Sequence, residues 1–281
     1  MAAVETGTVM VDGVSTFFRR VPGEGDPVVF VHGNPTSSSD WQPFLERMTG
    51  PALALDLPGW GRSEVPDAAE FDYSMTALAR FVQRFLARMA VEHYSLVVHD
   101  WGGLALIGAQ EEPDRIRRLV IANAVPLLPG YRWHRTARIW RTRGLGEVSR
   151  VLAARPLVDV GLRESRGDWS RHDPAFVDEI ATQIRERDRV AAILGLYRSG
   201  DPDRLAEAGQ RLDRITAPTL VVWGMKDRYL PAKFGAAYAE RLPDATLIEA
   251  RSAGHWPWID SPELVETMIR FVTNGEGFES A

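Results

Sequence analysis

The 281-residue chain contains no cysteine. Disulfides, thiol nucleophiles and cysteine-bound metals are therefore excluded, and a reducing compartment is compatible with the composition. Basic residues are not in surplus either: 33 Lys and Arg face 38 Asp and Glu, for a formal charge of −5. Nucleic acid selects for a basic surface, so it is not an expected partner. No run approaches the roughly 20 apolar residues that span a bilayer, so no membrane partner is expected. The opening Met1-Ala2-Ala3-Val4-Glu5-Thr6 lacks both the basic and the apolar stretch of a signal peptide. Repeats and low-complexity tracts are absent. These absences lead to the expectation of a cytoplasmic protein, monomer or homodimer, acting on a small, largely apolar molecule.

What is present is a globular pattern. Apolar residues make up 45% of the chain and charged residues 25%, enough for a substantial core under an ordinary polar surface. The length suits one α/β domain with an insertion. Short strand-like runs stand at Val9–Val11, Val14–Arg19, Val28–Val31, Ala52–Asp56, Leu96–His99, Leu119–Ala122, Thr219–Trp223 and Thr246–Glu249. Most are apolar throughout, as strands covered on both faces must be. Helical spacing follows Ser74, through Leu78, Phe81, Val82, Phe85, Leu86 and Met89. A second helix follows Gly102-Gly103, and a last one runs from about 262 to 272. Such alternation predicts an eight-stranded, mostly parallel sheet flanked by helices.

One stretch breaks the alternation. Between the sixth and seventh strands, residues 125–211 carry only helix-like patterns rich in Trp and Arg. The expected division is a core of residues 1–124 and 212–281 and a helical cap of residues 125–211. The cap would lie over the carboxyl ends of the strands, where open α/β sheets place their ligands.

The segment Leu96-Val97-Val98-His99-Asp100-Trp101-Gly102-Gly103 reads as strand, tight turn and helix start. It has the form of a nucleophile elbow, G-x-S-x-G, with aspartate in place of serine and Val98 in place of the first glycine. The helix dipole at such a turn favours an ionised carboxylate. An aspartate here is also a good helix N-cap, so its partners must decide. Asp227 follows the seventh strand in Trp223-Gly224-Met225-Lys226-Asp227, and His255 follows the eighth in Ala253-Gly254-His255-Trp256-Pro257. Nucleophile, acid and histidine thus come in the chain order of a hydrolase triad, each at the carboxyl end of a strand. After the third strand, His32-Gly33-Asn34-Pro35 occupies the place of an oxyanion hole, with the backbone N–H groups of Asn34 and Trp101 as donors.

Over essentially its whole length the chain resembles the α/β-hydrolase superfamily, in its aspartate-nucleophile branch of epoxide hydrolases and haloalkane dehalogenases. The carriers are His32-Gly33-Asn34-Pro35, His99-Asp100-Trp101-Gly102-Gly103, Asp227 and Gly254-His255-Trp256. The resemblance implies an α/β-hydrolase fold with a helical cap, and a covalent alkyl ester on Asp100 hydrolysed by water that His255 and Asp227 activate. It implies no organic cofactor and no metal. A carboxylate is suited to in-line displacement at a saturated carbon, which divides one hard hydrolysis into two steps.

The leaving group separates the two chemistries. An epoxide oxygen needs a proton, which a tyrosine can supply, whereas a halide needs only N–H donors. Tyr197 matches the second ring-opening tyrosine of the epoxide hydrolases. Trp140 aligns with the first, where an indole can donate a hydrogen bond but not a proton; Tyr131 fits that place less well. For a halide, Asn34 and the Trp101 indole are the matching donors, with Trp140 as a third. The reading expected first is therefore an epoxide hydrolase, with haloalkane dehalogenase as the alternative and a non-catalytic binding protein of the same fold as the second. Some dehalogenases carry the acid after the sixth strand, where this chain has Asn123, which cannot serve as one. Arginines 132, 135, 138, 141 and 143 are expected on a solvated helix face, and His93, His134 and His172 at the surface. His99 is expected to be a spacer.

Overall fold

A computed structural model of the chain describes residues 3–151, 155–167 and 173–274. Its centre is one sheet of eight strands: β1 (Glu5–Val11), β2 (Val14–Val21), β3 (Val28–Val31), β4 (Ala52–Leu55), β5 (Tyr94–Asp100), β6 (Ile116–Ala124), β7 (Thr219–Gly224) and β8 (Ala245–Ala250). They lie in the order β1-β2-β4-β3-β5-β6-β7-β8. The β1–β2 and β2–β4 pairs are antiparallel and all others parallel. Strands β3, β4, β5 and β7 are buried at every position, because helices cover both faces.

Both edge strands differ from their sequence reading. β1 begins four residues before the expected Val9, and β8 extends one residue beyond the expected run at each end and buries only Ala250. An edge strand is stabilised by its one neighbour's hydrogen bonds, so polar residues are tolerated there and no apolar run marks it.

After β3 comes α1 (Gln42–Leu45); α2 (Met75–Arg88) follows β4 and α3 (Ala105–Glu111) follows β5. Ser74 caps α2, its side chain accepting the N–H of Ala77. The expected stripe Leu78, Phe81, Val82, Phe85 and Leu86 is buried, each side chain contributing roughly 1.5–3 kcal/mol of transfer free energy. Between β6 and β7 every regular element among the described residues is helical: α4 (Arg135–Arg141), α5 (Leu145–Val151), α6 (Arg155–Ser165), α7 (Pro174–Arg185), α8 (Val190–Ser199) and α9 (Pro202–Ala208). Helices α10 (Lys233–Arg241), α11 (Pro257–Asp260) and α12 (Glu263–Asn274) are the last regular helices among the described residues. Among the described residues no helix is long and apolar enough to cross a membrane.

Polar ties fasten the inserted helices to the sheet domain. Glu179 of α7 accepts from Ser37 Oγ and Ser39 Oγ at 2.9 and 2.6 Å. Ser199 Oγ accepts the N–H of Met75 at 2.8 Å. Arg189 donates to the carbonyls of Gly59 and Gly61.

Candidate active site

Asp100 ends β5 with φ 49° and ψ −124°. A non-glycine residue held there costs about 1–3 kcal/mol and persists only where its surroundings impose it. The imposition is visible. A Cβ on Gly102 would lie 2.1 Å from the Val31 carbonyl oxygen, and one on Gly33 would lie 2.4 Å from Asp100 Cβ. Only glycine allows these backbones to approach, and the turn is driven upward at the carboxyl end of the sheet.

Asp100 makes no N-cap hydrogen bond, so the capping alternative does not hold. Its Oδ1 accepts the backbone N–H of Asn34 at 2.8 Å. Its Oδ2 lies 3.5 Å from His255 Nε2. On the other side of the imidazole, Nδ1 meets Asp227 Oδ2 at 2.7 Å. Asp100 ends β5 while Asp227 and His255 lie in the loops that follow β7 and β8, and all three are at least nine-tenths buried.

Asp227 is fully supplied with donors. Oδ1 accepts the N–H groups of Tyr229 and Leu230 at 2.7 and 3.1 Å, and Oδ2 accepts Asn123 Nδ2 at 2.7 Å. Asn123 owes its position to an irregularity in β6: the pairing with β5 skips it, and its φ is 38°. The Gly224 N–H donates to its Oδ1 at 2.7 Å, which leaves Nδ2 toward the carboxylate.

Burial by itself would hold the His255 imidazole neutral, but Asp227 and Asp100 together outweigh it and raise its pKa above the ordinary value. Burial would equally raise the Asp100 carboxyl, yet the hydrogen bond and charge of His255 bring it below its ordinary value. His255 thus lies between two carboxyl side chains that favour its protonated form, and it in turn favours the ionised form of Asp100.

His99 is more than a spacer: it is wholly buried, and its Nε2 meets the His255 carbonyl at 2.8 Å. From the opposite side the His255 N–H donates to the Ser165 carbonyl at 2.7 Å. Asp260 Oδ2 accepts the N–H groups of Gly167 and Gly254, both at 2.8 Å. The end of α6 therefore props the histidine loop.

Asn34 has its side chain fixed as well. Trp60 Nε1 donates to Asn34 Oδ1 at 2.9 Å, so Nδ2 turns toward the Tyr197 hydroxyl, 3.5 Å away. Tyr197 comes from α8, is buried, and meets Trp101 and Trp140 edge-on with ring centroids 5.2 and 5.0 Å apart. Burial and the Asp100 charge push the phenol pKa up; the neighbouring Trp101 indole and Asn34 amide act in the opposite sense. The Trp101 Nε1 is buried and, among the described residues, has no partner of hydrogen-bond geometry.

A cavity of about 500 Å³ opens over this group, lined by Asn34, Asp100, Tyr197 and His255 and walled by Trp133, Ile139, Trp140, Val158, Leu162, Ile180, Ile184 and Trp256. Trp140 lines the cavity. Tyr131 does not: its hydroxyl donates to the Tyr229 carbonyl at 3.4 Å, and its ring packs on Trp133 and Phe234. Trp101 packs behind two cavity residues, Tyr197 and Trp133, with ring centroids 5.2 Å from each.

Three further readings need correction. His134 is no surface residue; it lines the cavity, because it caps α4 at the start of the inserted helices. Arg141 leaves the solvated face to donate to the Tyr197 and Gly200 carbonyls at the end of α8, while residues 132, 135, 138 and 143 are exposed as expected. His93 is half-buried. His172 lies outside the described residues. Tyr229 and Trp60 had no signal in the sequence beyond proximity to Asp227 and to a glycine turn. Among the described residues no group of three or more His, Cys, Asp or Glu could hold a metal ion.

Residues 26–262 match the model of the alpha/beta hydrolase fold family. A haloalkane dehalogenase of Mycolicibacterium paratuberculosis is 32% identical over 259 residues, covering 88% of this chain and 84% of that protein. The crystal structure of haloalkane dehalogenase DbeA from Bradyrhizobium elkani superposes with a TM-score of 0.80 at 23% identity, covering 97% of this chain and 98% of the other. The epoxide hydrolase CorEH superposes with a TM-score of 0.78 at 19% identity, covering 97% and 99%. The chain belongs to the α/β-hydrolase fold family, in the branch that holds the haloalkane dehalogenases and epoxide hydrolases.

Proposed function

We propose that the protein is an epoxide hydrolase that forms a covalent ester on Asp100. The observation that carries this reading is the position of the Tyr197 hydroxyl. It faces the amide of Asn34 at 3.5 Å and lines the cavity beside Asp100, its ring edge-on to the Trp101 indole. With the Asn34 amide N–H behind its oxygen, the phenol directs its own proton toward the cavity and gains support for the anion it becomes on giving that proton up.

Asp100 Oδ2 attacks one ring carbon, the C–O bond breaks, and the alkoxide takes the Tyr197 proton. The imidazolium of His255 restores the phenol. Alkylation has removed the negative charge that lay 3.5 Å from Nε2, so His255 can now exist as a base. It takes a proton from water as the water oxygen adds to Asp100 Cγ. The negative charge develops on Oδ1, already held by the Asn34 N–H at 2.8 Å. Collapse expels the second diol oxygen, which takes the proton of the new carboxylic acid. Asp100 ends as a carboxylate and His255 as an imidazolium, as at the start.

A second reading, haloalkane dehalogenase, draws on the unpartnered Trp101 Nε1 beside Asn34 Nδ2 and on the 32%-identical relative. It requires the Tyr197 hydroxyl to move aside so that a halide can reach both donors. Side-by-side turnover of styrene oxide and 1-bromobutane decides between them, with Asp100→Ala as blank. Diol without bromide, lost at least about a hundredfold in Tyr197→Phe, is the expected result. Bromide without diol, undiminished in Tyr197→Phe, would overturn the epoxide reading.

A further inference from the structure

Polar groups on the cavity wall outside the reacting centre are nearly all engaged or exposed. Arg135 and Thr136 are exposed. The Tyr229 hydroxyl donates to the Gly161 carbonyl at 2.9 Å, and Ser149 Oγ to the Gly146 carbonyl at 2.9 Å. His134 differs. It is half-buried, its ring lies over Tyr229 with centroids 4.6 Å apart, and the Tyr229 ring stands 5.2 Å from that of His255. Little more than one aromatic ring separates the two imidazoles.

The tautomer of His134 is fixed by the helix it starts. Its Nδ1 accepts the N–H of Ala137 as the cap of α4, so in the neutral ring the hydrogen sits on Nε2. Burial keeps the ring neutral, lowering its pKa to about 4 against the opposing charges of Asp100 and Asp227. Nε2 has no protein partner among the described residues, nor does it count among the buried atoms left without one.

We infer that His134 Nε2–H is a substrate-binding donor, and that the substrate carries an acceptor oxygen (ether, carbonyl or hydroxyl) a few bonds from its reacting carbon. The remaining wall, with Trp133, Ile139, Trp140, Val158 and Ile180, takes the apolar parts on either side. Without such an oxygen the N–H is desolvated and unpaired on binding, which costs affinity. The inference rests on the hydrolase reading of Asp100 but not on which leaving group departs.

The test compares benzyl glycidyl ether with its isostere bearing CH2 in place of the ether oxygen, in wild type and in His134→Phe, which keeps a ring and removes the donor. The ratio of kcat/KM for the ether over the isostere should exceed one in wild type and fall about three- to tenfold in His134→Phe. An unchanged ratio, whatever the absolute rates do, overturns the inference. His134→Asn retains a capping acceptor on a shorter side chain and should give the same fall, so a misfolded phenylalanine variant does not end the test. If wild type opens neither epoxide, the epoxide reading fails separately. The corresponding ether and isostere diols are then compared as ligands by quenching of the cavity tryptophans, where the same loss of preference is expected and an unchanged Kd ratio sinks the inference.

Discussion

Asn123 donates its amide to Asp227 Oδ2 at 2.7 Å, onto the oxygen that also meets His255 Nδ1 at 2.7 Å. Because the Gly224 N–H occupies Asn123 Oδ1, the amide cannot flip without losing both bonds. Asn123→Asp would set two buried carboxylates against each other, and one would have to hold a proton at neutral pH. We expect kcat to fall at least about tenfold and stability by about 1–3 kcal/mol, read by steady-state kinetics and urea unfolding. A kcat within twofold of wild type would show that this hydrogen bond does not position the acid.

The proposed ester on Asp100 should be trappable. In His255→Gln the base is gone, while Asp100 and its Asn34 N–H contact at 2.8 Å are untouched. Intact mass after mixing with styrene oxide should show one substrate mass added, and peptide mapping should place it on Asp100. Unmodified Asp100 in a variant that still binds substrate, beside an active wild type, rules the ester out.

How much of this was legible in the sequence depends on what holds each part. The buried strands were, because covering both faces of a sheet forces apolar runs such as Val28–Val31 and Thr219–Trp223. Asp100, Asp227 and His255 were, because chain order and the carboxyl ends of strands bring them together. Asn34 was found by its motif, but Trp60, which orients its amide, was not, since that bond joins two loops with no shared pattern. His134 was misplaced for a similar reason. A histidine opening a short arginine-rich helix looks solvated, and only the packing of α4 over Tyr229 turns it inward. Tyr131 and Tyr197 look alike as cap tyrosines; tertiary packing gives the cavity to one and the core to the other.

The two chemical steps should separate with pH. In the free enzyme, His255 holds the Asp100 carboxyl below its ordinary value, so the nucleophile stays ionised well into acid. On the proposed mechanism, ester hydrolysis needs neutral His255 and begins only after the Asp100 charge is lost. We therefore expect kcat/KM to remain flat from pH 7 to about 5, while kcat declines over the same interval wherever hydrolysis limits turnover. Pre-steady-state kinetics would show a growing burst as the pH falls. Parallel acid limbs in kcat and kcat/KM would mean that one protonation state serves both steps.

Asp40 offers a test of stability rather than turnover. It is buried, and burial and nearby Glu179 raise its pKa to about 8, against the Thr36 hydroxyl that donates to Oδ2 at 2.6 Å and against Trp256 and His255. The sign follows from linkage. A carboxyl whose folded pKa lies above its unfolded value keeps a proton that the unfolded chain has lost. Folding is therefore opposed as pH rises from the unfolded pKa, and the opposition is complete once the folded pKa is passed. Asn cannot ionise and can still accept from Thr36. The stability of Asp40→Asn relative to wild type should rise between pH 4 and pH 8, by at most about 1.4 kcal/mol per pH unit, as measured by denaturant unfolding. The gain should level off above pH 8, where Asp40 is ionised in both states. A difference that stays constant across that range would mean that Asp40 ionises in the folded protein as readily as in the unfolded chain.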